Sequence, residues 1–186
     1  MKHKSNDPRF TEILFTSEEI QIKVKELANW VNETYKNSKD LIFIGLLKGC
    51  LPFLIDLAKN VTVEHIWDFM TLSTYSGSTE SSGNVKVVMD LKQNIFDKDV
   101  LIIEDIVDSG ITLEKVVGML KMKQPKSLKI LTLLDKRVNR KNKLEVDKAG
   151  FIVPNKFLAG YGLDVKEKLR NIDFIGVFNQ EYLDKL

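Results

Sequence analysis

A single cysteine, Cys50, in 186 residues excludes an intramolecular disulfide framework and a zinc site built from several thiolates, and it suits a reducing compartment. No apolar stretch approaches the roughly 20 residues of a membrane-spanning helix, and the opening MKHKSNDPRF lacks the apolar core of a secretory signal. The expectation is a cytoplasmic protein without membrane association. Charge of one sign is missing too. The 28 Lys and Arg against 26 Asp and Glu leave a formal charge of only +2, too little to imply nucleic acid or an anionic membrane from composition. There is no internal repeat and no linker. At 44% hydrophobic and 29% charged, the chain reads as one domain over residues 1–186, long enough to bury most of its apolar surface.

The remaining signals are local. Residues 1–10 are polar and read as a loosely held arm. Thr16 and Glu19 have capping-box spacing, Phe15 and Ile20 stand at the hydrophobic-staple positions, and Ile20, Val24, Leu27, Val31 and Tyr35 form one helical stripe. Residues 41–47 (LIFIGLL) form a continuous apolar run of strand length, which suggests burial on both faces as in a parallel sheet. Lys48-Gly49-Cys50 breaks that run, and Pro52 suits the first turn of a helix to about Lys59. A second strand over 63–72 completes a βαβ unit, with Val63, His65, Trp67 and Phe69 on one face. Residues 73–84 (STYSGSTESSGN) are abruptly polar; they read as a lid over a site or as a long hairpin connection. Strands follow at 85–91, 100–103, 128–134 and about 174–178, with a helical stripe at Leu113, Val116, Val117 and Leu120. Residues 135–148 are charge-rich and read as exposed. The alternation predicts an α/β fold with a mostly parallel central sheet flanked by helices, and the chain ends forming a small subdomain over it.

Chemistry concentrates in residues 100–113, VLIIEDIVDSGITL. In open α/β sheets ligands bind beyond the carboxyl ends of the strands. Gly110 permits a tight turn, after which the N–H groups and hydroxyls of Ser109 to Thr112 can surround a phosphate at a helix N-terminus. Glu104 and Asp105, adjacent at a strand end, can hold ribose hydroxyls directly or through Mg²⁺, while Asp108 in the loop is free for another task. The plain alternative is an acidic strand-to-helix connection in which Asp108 or Ser109 caps a helix.

These residues resemble the 5-phosphoribosyl-1-pyrophosphate (PRPP) motif of type I phosphoribosyltransferases. GLLKGCLPFLIDL resembles the family's pyrophosphate loop, and DFMTLSTYSGSTESSGNVKVV its flexible catalytic loop. LLDKR with VPNKFLAGYGLDVKEKLRNI resembles the purine-binding hood of the hypoxanthine-guanine branch. The likeness covers about residues 15–178 with four motifs in the family's order.

The resemblance implies a single phosphoribosyltransferase domain with a core at about 38–135, a hood from about 1–20 and 136–186, and a flexible loop at 73–84. It implies Mg²⁺-dependent transfer of phosphoribose from PRPP to hypoxanthine or guanine, giving IMP or GMP and pyrophosphate in purine salvage. Lys48 and Gly49 match the pyrophosphate loop, often with a cis peptide before the lysine. Thr74 and Tyr75 match a closing Ser-Tyr pair, the threonine being a departure. Glu104 and Asp105 match acids at ribose and metal, and Asp108 the general base at purine N7. Ser109, Gly110, Ile111 and Thr112 match the 5′-phosphate cradle, with Ile111 replacing a lysine of some members. Lys136 matches the donor to the purine 6-oxo group, Phe157 the stacking aromatic, Leu158 the backbone contact to the base, Asp164 a further metal contact, and Arg170 a pyrophosphate contact. Lys156 reads as structural support.

Taken singly, each has a simpler reading. Lys136 would be a solvated loop lysine, Phe157 a core residue, Asp164 a cap and Arg170 a surface ion-pair partner. His65 reads as half-buried in a strand, Cys50 as packing, and Trp30 and Trp67 as core. Two alternatives compete with the purine enzyme: the same reaction on xanthine or adenine, and a regulator that binds RNA or DNA through Arg137, Arg140, Lys141 and Lys143. The completeness of the hood makes nucleic acid the weaker of these. The resemblance further implies a homodimer or homotetramer.

Overall fold

Hydrophobic alternation along five parallel strands divides the molecule into two packed layers on either side of a sheet. A computed structural model describes residues 5–74 and 85–186. Its main sheet has six strands in the order β4-β3-β2-β5-β6-β7, where β2 is Leu41–Leu46, β3 His65–Thr74, β4 Val85–Met89, β5 Asp99–Val107, β6 Ser127–Asp135 and β7 Lys148–Ile152. All neighbours are parallel except β3 and β4, which pair antiparallel.

Along β2 every residue is buried, as a strand covered on both faces requires. Leu41 and Phe43 face one layer with Leu101 and Ile103 of β5 and Leu131 and Leu133 of β6. This layer is filled by helices α1 (Ser17–Tyr35) and α2 (Leu51–Asn60). Ile42 and Ile44 face the other layer with Val100 and Ile102, where helix α3 (Ile111–Met122) contributes Leu113, Val116 and Leu120. Burying side chains of this size contributes about 1.5–3 kcal/mol each against leaving them in water.

Local signals fix the helices. Thr16 Oγ1 accepts from Glu19 N while Thr16 N donates to the Glu19 carboxylate at 2.9 Å, which completes the capping box. The anticipated stripe of α1 is buried, joined by Ala28. Pro52 sits at the first turn of α2.

A second, three-stranded antiparallel sheet runs β1-β9-β8, with β1 Phe10–Phe15, β8 Leu158–Ala159 and β9 Ile175–Phe178. Here the structure corrects the expected loose arm. Phe10 is buried and opens β1, because Ala159, Val165, Leu169 and Phe178 give it an apolar pocket that no neighbour in sequence reveals. Trp67, expected in the core, is 44% exposed and its neighbour Ile66 43%, because β4 pairs with β3 only from Thr71 to Thr74 and leaves the first half of β3 as an open sheet edge. Among the described residues no helix is long and apolar enough to cross a membrane.

Candidate active site

The C-terminal ends of β2, β5 and β6 lie side by side, so the three segments that follow them converge on one edge of the sheet. After β2, the Leu47–Lys48 peptide is cis and leads through Lys48 and Gly49 into α2. Gly49 is a close-approach glycine. A Cβ added there would lie 1.9 Å from Asp105 Oδ2, so the loop backbone is pressed against that carboxylate. Gly162 (φ +97) in turn presses on Gly49, since its own Cβ would lie 2.1 Å from the Gly49 carbonyl oxygen. The pyrophosphate-loop candidate is thus held between β5 and the segment after β8.

Strand β5 runs further than the apolar pattern implied. Ladder pairing of Glu104 with Thr132, and of Val107 with Asp135, carries it through both acids to Val107, so Glu104 and Asp105 lie within the strand rather than beyond it. Burial, the Asp105 charge and a hydrogen bond with Asp105 push the Glu104 carboxyl well above its ordinary range. Burial also raises Asp105, against the opposing hydrogen bond from Ile106 N and the nearby Arg170 charge. Two adjacent carboxyls, both raised by burial and Glu104 raised further by the Asp105 charge, form a donor set suited to a hard dication. Among the described residues no group of three or more His, Cys, Asp or Glu side chains could hold a metal ion alone. Asp164, the third expected contact, is engaged elsewhere: its Oδ1 pairs with Arg170 at 3.0 Å and its Oδ2 accepts from Glu167 N at 2.9 Å. The set therefore fits Mg²⁺ in its usual mode, with one or two carboxylates and the remaining positions left to water and substrate oxygens.

After β5, Asp108 and Ser109 lead to Gly110, which takes φ +77 as the residue preceding α3. Gly110 O accepts from Glu114 N, and the hydroxyl of Ser109 accepts from Ile111 N at 3.5 Å. Ile111 and Thr112 form the first turn of α3, where N–H groups without a partner in the helix ladder and the helix dipole favour an anion.

After β6 the structure corrects only the start of the expected exposed, charge-rich loop; Arg137, Lys141, Lys143, Glu145 and Asp147 are exposed as expected. Asp135 and Lys136 are buried. Lys136 Nζ donates to Asp108 Oδ2 at 3.1 Å and Asn139 Nδ2 to Asp108 Oδ1 at 2.8 Å. Arg140 is spent internally, bonding Asp135 Oδ1 at 2.5 Å, the Leu144 carbonyl at 2.6 Å and the Asp108 carbonyl at 3.3 Å. Arg137 Nε also donates to Asp135, at 2.8 Å. Arg140 and Asn142 cover Gly110, and Lys141 N donates to the Ser109 carbonyl, so this loop braces the Gly110 turn. Arg140, Asn139 and Asp135 were missed as site residues because a basic run reads as solvated surface. Only the burial of Asp135, a tertiary property, reveals that two of its arginines are committed.

Phe157 is 44% exposed and meets Phe178 edge-on at 5.8 Å. Leu158 begins β8 opposite Val177. Lys156 pairs with Glu12 of β1. Lys48 Nζ bonds Glu167 Oε2 at 2.7 Å, and Arg170 bonds Glu167 Oε1 at 3.0 Å. Thr74 ends β3, paired with Val85; Tyr75 and the expected lid at 75–84 lie outside the described residues. Cys50 is buried, and burial next to the Glu104 and Asp105 charges raises its thiol, as an inert packing residue would show.

Residues 11–166 match the family described as phosphoribosyl transferase domain. The chain is 47% identical to the hypoxanthine-guanine phosphoribosyltransferase of Bacillus subtilis, over 89% of this chain and 92% of that protein. It is 44% identical to the hypoxanthine phosphoribosyltransferase of Buchnera aphidicola, over 89% and 94%. Its structure is similar to the crystal structure of a Staphylococcus aureus hypoxanthine phosphoribosyltransferase (TM-score 0.89, 41% identity, 93% and 94% covered). It is equally similar to the Trypanosoma cruzi enzyme in complex with the product IMP (TM-score 0.89, 34% identity, 95% and 98% covered). Together with the glycine turn after β5 and the acids within it, these likenesses establish that the chain belongs to the phosphoribosyltransferase family, in its hypoxanthine(-guanine) branch.

Proposed function

We propose that this protein is a purine-salvage pentosyltransferase that moves the 5-phosphoribosyl group of PRPP to hypoxanthine or guanine, forming IMP or GMP and pyrophosphate. The observation that carries this reading is the Lys136–Asp108 pair beside the Gly110 turn, a base-reading donor and a proton acceptor next to a phosphate cradle. The C1–oxygen bond to pyrophosphate breaks, the leaving group keeps the electron pair, and purine N9 bonds to C1. Asp108 takes the proton from N7. One N–H of Lys136 serves Asp108, leaving others for the purine 6-oxo group, which selects against adenine. Phe157 stacks on the base and Leu158 meets its edge through the backbone.

Ser109, Gly110, Ile111 and Thr112 hold the 5′-phosphate through backbone N–H groups, so isoleucine in place of a lysine is tolerated. Glu104 and Asp105 hold the ribose side together with Mg²⁺, and Asp164 acts through its ion pair with Arg170. When bound, Mg²⁺ would supply positive charge to PRPP and departing pyrophosphate. Lys48, Gly49 and Arg170 receive pyrophosphate, while Thr74 and Tyr75 take the catalytic positions that the family resemblance implies.

The chain works as one domain, with a donor-binding core at about 38–135 and a hood from about 1–20 and 136–186. β7 returns to the main sheet. It acts in the cytoplasm as a homodimer or homotetramer, for which the exposed Trp67 and Val88 offer apolar contact surface. The internal commitment of Arg140 to Asp135 takes one cation out of the basic run on which a nucleic-acid regulator would rest.

The test is turnover of PRPP and Mg²⁺ with hypoxanthine, guanine, xanthine and adenine in turn. Nucleotide formation from the 6-oxopurines is expected. Consumption of adenine alone, or of no purine, would refute the assignment. Asp108→Asn is expected to abolish most turnover while sparing PRPP binding.

A further inference from the structure

The Asp108 carboxylate is gripped from two directions, and one grip continues into another part of the fold. Lys136 holds Oδ2 from the end of β6. Asn139, in the short 3-10 turn that follows, donates from Nδ2 both to Asp108 Oδ1 at 2.8 Å and to Asn155 Oδ1 at 2.9 Å. The amide orientation follows from these partners: turned over, its oxygen would face a carboxylate oxygen and an amide oxygen, with no proton between them. Both N–H bonds of Asn139 are therefore used, one on each neighbour.

We propose that Asn139 is a positioning residue that sets the plane of the Asp108 carboxylate relative to the segment carrying the purine-stacking Phe157; this deepens the transferase reading and rests on it. Asn155 stands two residues before Phe157. Between them Lys156 pairs with Glu12 of β1, so the segment is tied to the small sheet as well as to Asn139. The Asp108 side chain retains 46% of its exposure, so no packing fixes its rotation. A lysine ammonium is a point-like donor on a flexible stem, and Lys136 must also serve the purine. A second donor at the other oxygen supplies the missing constraint. It delivers the carboxylate to N7 in the frame that Phe157 defines, which is what proton transfer from a stacked base requires.

Two isosteric exchanges separate this role from general support. Asn155 acts only as an acceptor in this chain of contacts, so Asn155→Asp keeps the needed oxygen and is expected to keep wild-type kcat. Asn139→Asp removes the donor and sets a second carboxylate against Asp108, so kcat is expected to fall at least as far as in Asn139→Ala. For Asn139→Ala the expected loss is about two- to tenfold in kcat, the worth of one hydrogen bond, with KM for PRPP unchanged. Asn139 lies on a surface turn, so thermal denaturation of each variant is expected to match wild type. An unchanged kcat in Asn139→Ala, an Asn155→Asp loss equal to that of Asn139→Asp, or a loss that tracks a lowered Tm overturns the positioning role while wild-type turnover leaves the transferase reading standing. Wild-type protein without PRPP-dependent nucleotide formation overturns both.

Discussion

Gly49→Ala is the sharpest test of the arrangement at the pyrophosphate loop. The added methyl would stand 1.9 Å from Asp105 Oδ2 and 2.7 Å from its Cγ. A relaxed carbon–oxygen contact is about 3.3 Å, so something must move by roughly 1.4 Å. The carboxylate is anchored at its other oxygen, where Oδ1 accepts from Ile106 N at 2.9 Å within β5. The loop is no freer, because Gly162 sits against the Gly49 carbonyl. Strain of about 1–3 kcal/mol is the ordinary cost of such overpacking, which lowers Tm by several degrees in a chain of this size. Displacing a binding group by about 1 Å costs on the order of a hundredfold in rate, so kcat/KM for PRPP falls far more than stability accounts for. Gly118→Ala is the matched control. Nothing lies within 4 Å of its added Cβ in α3, so it should gain about 0.5–1 kcal/mol of stability and leave kinetics alone. Steady-state kinetics at varied PRPP, alongside thermal melts, decide the matter. A Gly49→Ala enzyme with wild-type KM and kcat would refute the claim that loop and carboxylate are mutually fixed.

Glu104→Gln tests the acid pair. Because burial raises its folded-state pKa, the native chain retains a proton that the unfolded chain releases in the ordinary carboxylate range, and stability falls as pH rises above that range. The variant should gain Tm near neutral pH but not in acid, and bind PRPP more weakly; an equal Tm change at both pH values would count against it. Glu167→Gln should release Lys48 for pyrophosphate and strengthen product inhibition about two- to fivefold, as expected for an exposed pair, and unchanged inhibition would show that Glu167 does not compete there. Lys136→Met keeps bulk but removes the donor, so KM for hypoxanthine should rise while KM for PRPP stays near wild type; the reverse pattern would reassign Lys136 to the donor side.

The parts of the site legible in sequence were those whose chemistry is local. The Thr16–Glu19 box, the buried run of β2 and the Gly110 turn each follow from neighbours a few residues apart. The extension of β5 through Glu104 and Asp105 was not legible, because two carboxylates in a strand are tolerated only where the ladder with β6 holds the backbone. Likewise the internal commitment of Arg140 depends on Asp135 being buried beneath it. β1 escaped notice since its partner, β9, lies at the far end of the described chain.

That last pairing has a consequence for the order of events during synthesis. β2, β5, α3 and β6 come from a contiguous stretch and pair with near neighbours, whereas β1 must wait for β9 before Phe10 meets Phe178. Closing so long a loop is entropically expensive and slow relative to local pairing. Leu158 depends on the same late strand, through Val177. A nascent chain emerging from the ribosome therefore has the segments of its Gly110 turn before those of β9, so a polypeptide released before β9 would lack the strand against which Phe10 and Leu158 are held.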